Sequence, residues 1–197
     1  LSATSPYPYR RAIIGISTAV KLCPRLILAL TSVSCLASCT GPRLLNFPYD
    51  PSGRSLNSQF AEQNPAIAGR YIVFVSDRRN NQAVYLYDTV NRGIVELPGL
   101  NASDMVAETP TLSDDARYIA FTGTRNGATD IYLYDRTTRQ LRNLTAQLNG
   151  KVRNPSISAN GNAIAFESSA TGQWDIVVYN RFGQPLEGWP TPPPPSP

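Results

Sequence analysis

One pattern of residues is written three times in this chain, and that recurrence limits what the chain can fold into more than any other feature. The fullest copy runs from Thr109-Pro110 through Ile119-Ala120-Phe121 to Asp130-Ile131-Tyr132-Leu133-Tyr134-Asp135 and Leu144-Thr145. Upstream stand Asn64-Pro65, Ile72-Val73-Phe74 and Val84-Tyr85-Leu86-Tyr87-Asp88; downstream stand Asn154-Pro155, Ile164-Ala165-Phe166 and Ile176-Val177-Val178-Tyr179-Asn180. Pro65, Pro110 and Pro155 are 45 residues apart, and Phe74 to Asp88, Phe121 to Asp135 and Phe166 to Asn180 are each 14 apart. A fixed period of this size marks a propeller or solenoid, whose units hide their apolar faces only against one another.

Inside each unit, short apolar runs alternate with turn residues, the pattern of an antiparallel sheet. A first strand is expected around Ile67, Leu112 and Ile157, after each proline. A second is expected over 70–75, 117–122 and 163–167, and a third over 84–87, 131–134 and 176–179. A fourth falls at 93–97 and 140–145, with a poorer copy at 184–188. Both faces of the third strand are apolar or aromatic, so each sheet is expected to lie between neighbouring sheets. Asn126-Gly127 suits a two-residue hairpin, because both residues accept positive φ. Asp88, Asp135 and Asn180 end the third strand, where short polar side chains bond nearby N–H groups and start a turn.

The repeat resembles that of the TolB-like β-propeller family, whose pattern is Pro-x-aromatic-Ser-Pro-Asp-Gly-x-x-Ile-Ala-Phe, then Ile-Tyr-x-x-Asp, then Leu-Thr. Thr111 to Phe121, Ile131 to Asp135 and Leu144-Thr145 carry the match, and Pro155 to Phe166 with Asp175 to Tyr179 repeat it. The aromatic of the pattern is here Ile67, Leu112 and Ile157, and its Pro-Asp-Gly survives only as Asp114-Asp115-Ala116 and Ala159-Asn160-Gly161. The resemblance covers about residues 64–190 and implies an all-β fold: a partial propeller of three four-stranded antiparallel blades at about 64–101, 109–149 and 154–190. Closed propellers have about 4–8 blades. Three blades leave three readings: a homodimer completing a six-bladed ring, which is preferred, an open arc, or a remnant of a longer gene.

The ends have a different composition. All 14 acidic residues lie after Cys39, whereas four of the 18 basic ones precede it. Residues 39–197 are therefore formally neutral, which argues against a nucleic-acid-binding surface, since that should show a basic patch on the folded part itself. Arg10, Arg11, Lys21 and Arg25 precede and flank an uncharged run over 26–38, the pattern of a secretory leader, too short to span a bilayer. The run ends Leu36-Ala37-Ser38-Cys39, which resembles a bacterial lipobox. That resemblance implies removal of residues 1–38 and acylation of Cys39, with several chains giving stable anchoring. The other reading is an ordinary signal peptide that contains a cysteine. Residues 39–63 read as a tether, with one short strand at 53–57 joining the first blade; 191–197 read as a polyproline tail.

The chain has no His, and its three Cys lie at 23, 35 and 39. That excludes His-based nucleophile systems and leaves no Cys-based zinc site in the repeats. No nucleophile elbow or phosphate-binding glycine loop occurs. Asp114-Asp115 falls in a hairpin turn, where Asp is expected on conformational grounds. No catalytic residue, metal or cofactor is expected. Candidate partner contacts are Arg78, Arg79 and Arg125 in the turns between second and third strands, and Trp174 just before a third strand. The resemblance implies a non-enzymatic envelope lipoprotein, anchored on the periplasmic side, whose blades bind another envelope protein. The alternative is a glycan- or peptidoglycan-binding module, or an accessory to an envelope hydrolase.

Overall fold

The computed structural model describes residues 53–189. The expected leader, Cys39, the first part of the tether and the proline tail lie outside the described residues.

Three antiparallel sheets follow one another along the chain. The first holds β1 (Glu62–Ala68), β2 (Tyr71–Ser76), β3 (Ala83–Asp88) and β4 (Gly93–Val95), in that spatial order. The second holds β5 (Met105–Leu112), β6 (Tyr118–Arg125), β7 (Ala128–Asp135) and β8 (Gln140–Asn143), again in order. The third holds β9 (Val152–Ile157), β10 (Ala163–Ser168) and β11 (Asp175–Asn180). This is the partial propeller expected from the repeats, and the described residues contain no helix.

Three expectations need correction. The first strand of each blade does not follow the proline but runs through it. The register slips there, between Gln63 and Ala66, between Glu108 and Thr111, and opposite Ala165–Glu167. Asn64, Thr109 and Asn154, each just before the proline, hold φ of 50°, 44° and 52°. Proline cannot donate to a ladder, so the strand absorbs it in a bulge. Second, the fourth strand of the third blade shrinks to a single bridge, Tyr179 to Pro185. Pro185 has no N–H to extend it. Third, residues 53–57 form no strand; the Arg54 carbonyl accepts a bond from the Ile94 N–H (3.3 Å).

Packing explains the apolar character of both faces of β3 and β7. Val73, Val84 and Leu86 of the first blade meet Ile119, Phe121, Tyr132 and Tyr134 of the second. Ala120, Ile131 and Leu133 of the second meet Ile164, Phe166, Val177 and Tyr179 of the third. Phe74 stacks on Tyr85 and Phe121 on Tyr132, each at 5.7 Å. Val177 replaces that tyrosine in the third blade, and Phe166 turns its contact edge-on to Tyr179 at 5.1 Å. Each buried Phe of this kind stabilises by roughly 1.5–3 kcal/mol.

A polar clamp repeats at the blade junctions. Tyr71 lies between Arg70 of its own blade (5.1 Å) and Arg136 of the next (5.0 Å). Tyr118 lies likewise between Arg117 (4.9 Å) and Arg181 (5.9 Å). Arg70 pairs with Asp88, and Arg117 with Asp135 at 3.0 Å. The third blade carries Asn162, Ala163 and Asn180 at these positions, so the clamp is absent from it.

Candidate functional site

The candidate residues sit in the hairpins joining the second and third strands of the blades. In the second blade that hairpin closes at Asn126-Gly127, with φ of 52° and 81°, the two-residue geometry the sequence suggests. Arg125 at its base pairs with Asp104 at 2.6 Å, both half exposed. Arg79, in the first blade's hairpin, is exposed and 4.0 Å from Glu96. These two guanidiniums are open to solvent.

Arg78 is placed differently. Its side chain is 5% exposed, and all five N–H donors are engaged within the chain. They bond the carbonyls of Gly53 (2.8 Å), Ser55 (2.8 Å) and Leu56 (2.6 Å) and the Glu62 carboxylate (2.8 and 3.3 Å). The guanidinium also lies over Phe74 and Tyr85, at 5.2 and 5.5 Å. Together with Leu56 it covers the outer face of the first blade.

Trp174 stands before β11 and is 44% exposed. The Arg153 guanidinium stacks on it at 4.0 Å and pairs with Glu167 at 2.6 Å. Trp174 and Arg153 form one wall of a cleft of about 630 Å³; Gly127, Asp130, Thr145 and Lys151 line the rest. The Asp130 carboxylate accepts bonds from Thr145 Oγ1 (2.8 Å) and Asn143 Nδ2 (2.9 Å), and Thr145 Oγ1 accepts the Ile131 N–H (3.0 Å). The acid is thus positioned by the sheet rather than left mobile. Gly150 forms a tight part of the cleft wall, since a Cβ there would lie 2.7 Å from the Ala170 nitrogen. The structure therefore brings Trp174 beside the second blade's hairpin, and Arg153, Lys151 and Asp130 join it in a cleft that sequence reasoning missed. The signal available was Arg153-Asn154, two polar residues inside a strand.

Asp114-Asp115 acts in turn formation. Asp115 accepts bonds from Ser113 Oγ (2.6 Å) and the Arg117 N–H (2.9 Å), and these hold its carboxyl below the usual carboxylate range. Asp135 is lowered too, by Arg117 against the opposing effect of burial, with help from the Thr137 N–H. No group of three or more His, Cys, Asp or Glu side chains able to hold a metal occurs among the described residues.

No protein-family model and no curated protein matches the chain. Solved structures do match. TolB from Acinetobacter baumannii aligns over 64% of this chain and 31% of its own, at 27% identity and a TM-score of 0.51. A protein from Agrobacterium tumefaciens described as a TolB aligns over 66% of this chain and 46% of its own, at 21% identity and a TM-score of 0.52. The β-propeller domain of the Trilobed protease from Pyrococcus furiosus aligns over 65% and 41%, at 14% identity and a TM-score of 0.49. The fold is that of a TolB-like β-propeller. The chain spans less than half the length of either TolB structure. In this TolB-like partial propeller the open surface lies at the hairpin rims and between blades, where loops on a rigid scaffold ordinarily carry recognition.

Proposed function

We propose that this chain is a non-enzymatic cell-envelope lipoprotein whose TolB-like blades act as a scaffold for binding another protein. The observation that carries the reading is how the apolar and charged groups are used. Strand side chains go into blade–blade packing, while the rim keeps Arg79, Arg125 and the Trp174 cleft open to a partner. The 27% identity to a TolB structure supports the same class of role, though fold alone does not fix function. In this reading Cys39 carries the acyl chains and holds the protein on the periplasmic side of a membrane.

Two measurements test the reading. Intact mass of the membrane-extracted protein should correspond to a chain beginning at an acylated Cys39, and Cys39→Ser should release the protein from the membrane. Crosslinking in intact envelopes should capture one protein in stoichiometric yield; capture of none sinks the scaffold role. The Trp174 cleft favours a second reading, a glycan-binding module, because an exposed indole beside a positioned carboxylate suits a sugar ring. Retention on purified peptidoglycan that is lost in Trp174→Ala, with no protein captured, would select it.

A further inference from the structure

A second groove opens between the second and third blades, at the end of the strands away from the hairpins described above. It holds about 250 Å³ and is lined by Arg117, Tyr118, Asp135, Arg142, Arg181 and Phe182, among others. Its charges are unbalanced. Asp135 is its only carboxylate, and Arg117 takes both of its oxygens, at 3.1 and 3.0 Å. Arg181 bonds only neutral acceptors, the Tyr118 hydroxyl (3.3 Å) and Asn162 Oδ1 (3.2 Å). Arg142 makes no ion pair with any described residue; it lies over the Phe182 ring at 5.5 Å, with Arg181 over the same ring at 5.2 Å. Phe182 nevertheless remains 58% exposed.

The junction between the first and second blades serves as an internal control. Arg142 faces Leu133 across the β7–β8 ladder just as Val95 faces Leu86 across β3–β4. Phe182 follows Asn180 by two residues, as Thr137 follows Asp135. The repeat therefore builds a sound junction with Val95 and Thr137, and packing does not demand Arg142 or Phe182. The groove at that first junction also sets Glu96 and Asp115 against Arg117, Arg136 and Arg139, whereas the second sets one acid against three arginines. A surplus of guanidinium beside an exposed ring recognises carboxylates next to an apolar side chain. The volume is below the roughly 300–1,000 Å³ of small-molecule sites and suits one or two side chains of a larger partner.

We propose that this groove docks an acidic segment of a partner protein, with Arg142 and Arg181 receiving its carboxylates and Phe182 an adjacent apolar side chain. The assignment deepens the scaffold reading and rests on it. The full chain in detergent is titrated, at low salt, with a fluorescent, end-blocked decaglutamate and with the matching decaglutamine. Decaglutamate should bind and decaglutamine should not. Arg142→Glu should weaken decaglutamate binding tenfold or more, and Phe182→Ala should weaken severalfold the binding of an end-blocked decapeptide alternating glutamate and leucine, each with unchanged circular dichroism and melting temperature. If Arg142→Glu disturbs the fold, Arg142→Gln replaces it, with the same direction expected. Equal binding by wild type and Arg142 variants, or equal binding of the two peptides, overturns the proposal. So does full displacement by millimolar inorganic phosphate, which would make this a small-anion site. Arg142-dependent binding to phosphatidylglycerol vesicles without binding to decaglutamate overturns it in favour of a lipid surface. Envelope crosslinking separates the two readings: a partner captured equally by wild type and Arg142→Glu keeps the scaffold and removes the groove. Arg142-dependent peptide binding with no captured partner keeps the groove and removes the scaffold.

Discussion

Arg78 and Asp135 show how much a single side chain decides in this molecule. By sequence Arg78 is a turn residue and a candidate partner contact like Arg79, and nothing in the run Asp77-Arg78-Arg79 distinguishes the buried guanidinium from the open one. The difference arises from residues 53–62, which bring three carbonyls and Glu62 around Arg78 but not Arg79. Removing one member of a buried, hydrogen-bonded pair leaves the other unpaired. Arg78→Ala should therefore cost about 3 kcal/mol in urea unfolding, while Arg79→Ala should stay within about 0.5 kcal/mol of wild type, as exposed substitutions do. Equal effects would mean that the carbonyl cage does not hold in solution. The Asp135 carboxyl, lowered in the folded state chiefly by Arg117, has a defined pH signature. Its contribution is fully present above the ordinary carboxylate pKa of about 3.9 and is lost as pH falls through the lowered folded value. Asp135→Asn should flatten the acid limb of a stability-against-pH curve and leave its slope above pH 6 unchanged. An unchanged acid limb would remove Asp135 from the linkage.

At the scale of the element, most strands were legible because alternation and turn residues agree with each other. The ladder of β6 with β7 follows Phe121 opposite Tyr132 and Ile119 opposite Tyr134, as the apolar pattern requires. Proline ordinarily marks a strand boundary, which puts the first strands too late in the sequence, and a bulge that swallows a proline leaves no compositional mark apart from the residue before it. Asn64 and Asn154 gave a hint, since Asn tolerates positive φ; Thr109 gave none. The turn before β10 shows a constraint that no local reading exposes. Gly161 has φ 71°, but Ala116 holds the equivalent position at φ 52° and is fully buried, so positive φ alone does not require glycine. What requires it is the Tyr118 ring of the preceding blade, which a Cβ at Gly161 would strike. Gly161→Ala should cost about 2 kcal/mol through overpacking. In a Tyr118→Ala background the same change should cost markedly less, so the double-mutant cycle should be non-additive. Strict additivity would place the cost in the turn itself. The Arg142–Phe182 groove was missed for a related reason: its residues become notable only when the blades are compared position by position.

For the whole molecule the deciding matter is what its two end blades present to a neighbour. A six-bladed ring made from two copies needs the outer face of the third blade to pack on the outer face of the first, at both junctions. Each junction within the chain joins a tyrosine at the start of a second strand to an arginine after the following blade's third strand, Tyr71 with Arg136 and Tyr118 with Arg181. At an intermolecular junction those positions are Ala163 and Thr89, so neither half of the clamp exists. The receiving face is also occupied, because Leu56 and Arg78 lie over Phe74 and Tyr85. Array proteins cap their ends in this manner, with polar groups over the terminal unit. On the other outer face, Ile176 is 60% exposed and the Arg153–Glu167 pair stands beside it, a more polar surface than the aromatic faces buried between blades. These features run against the dimeric ring and for an arc that stands alone. Sedimentation equilibrium of the full chain in density-matched detergent, at micromolar concentration, should return the monomer mass. A dimer at that concentration would show that the Arg78 cap yields to a second copy, and Arg78→Ala, which opens the same face, should then dimerise more tightly than wild type.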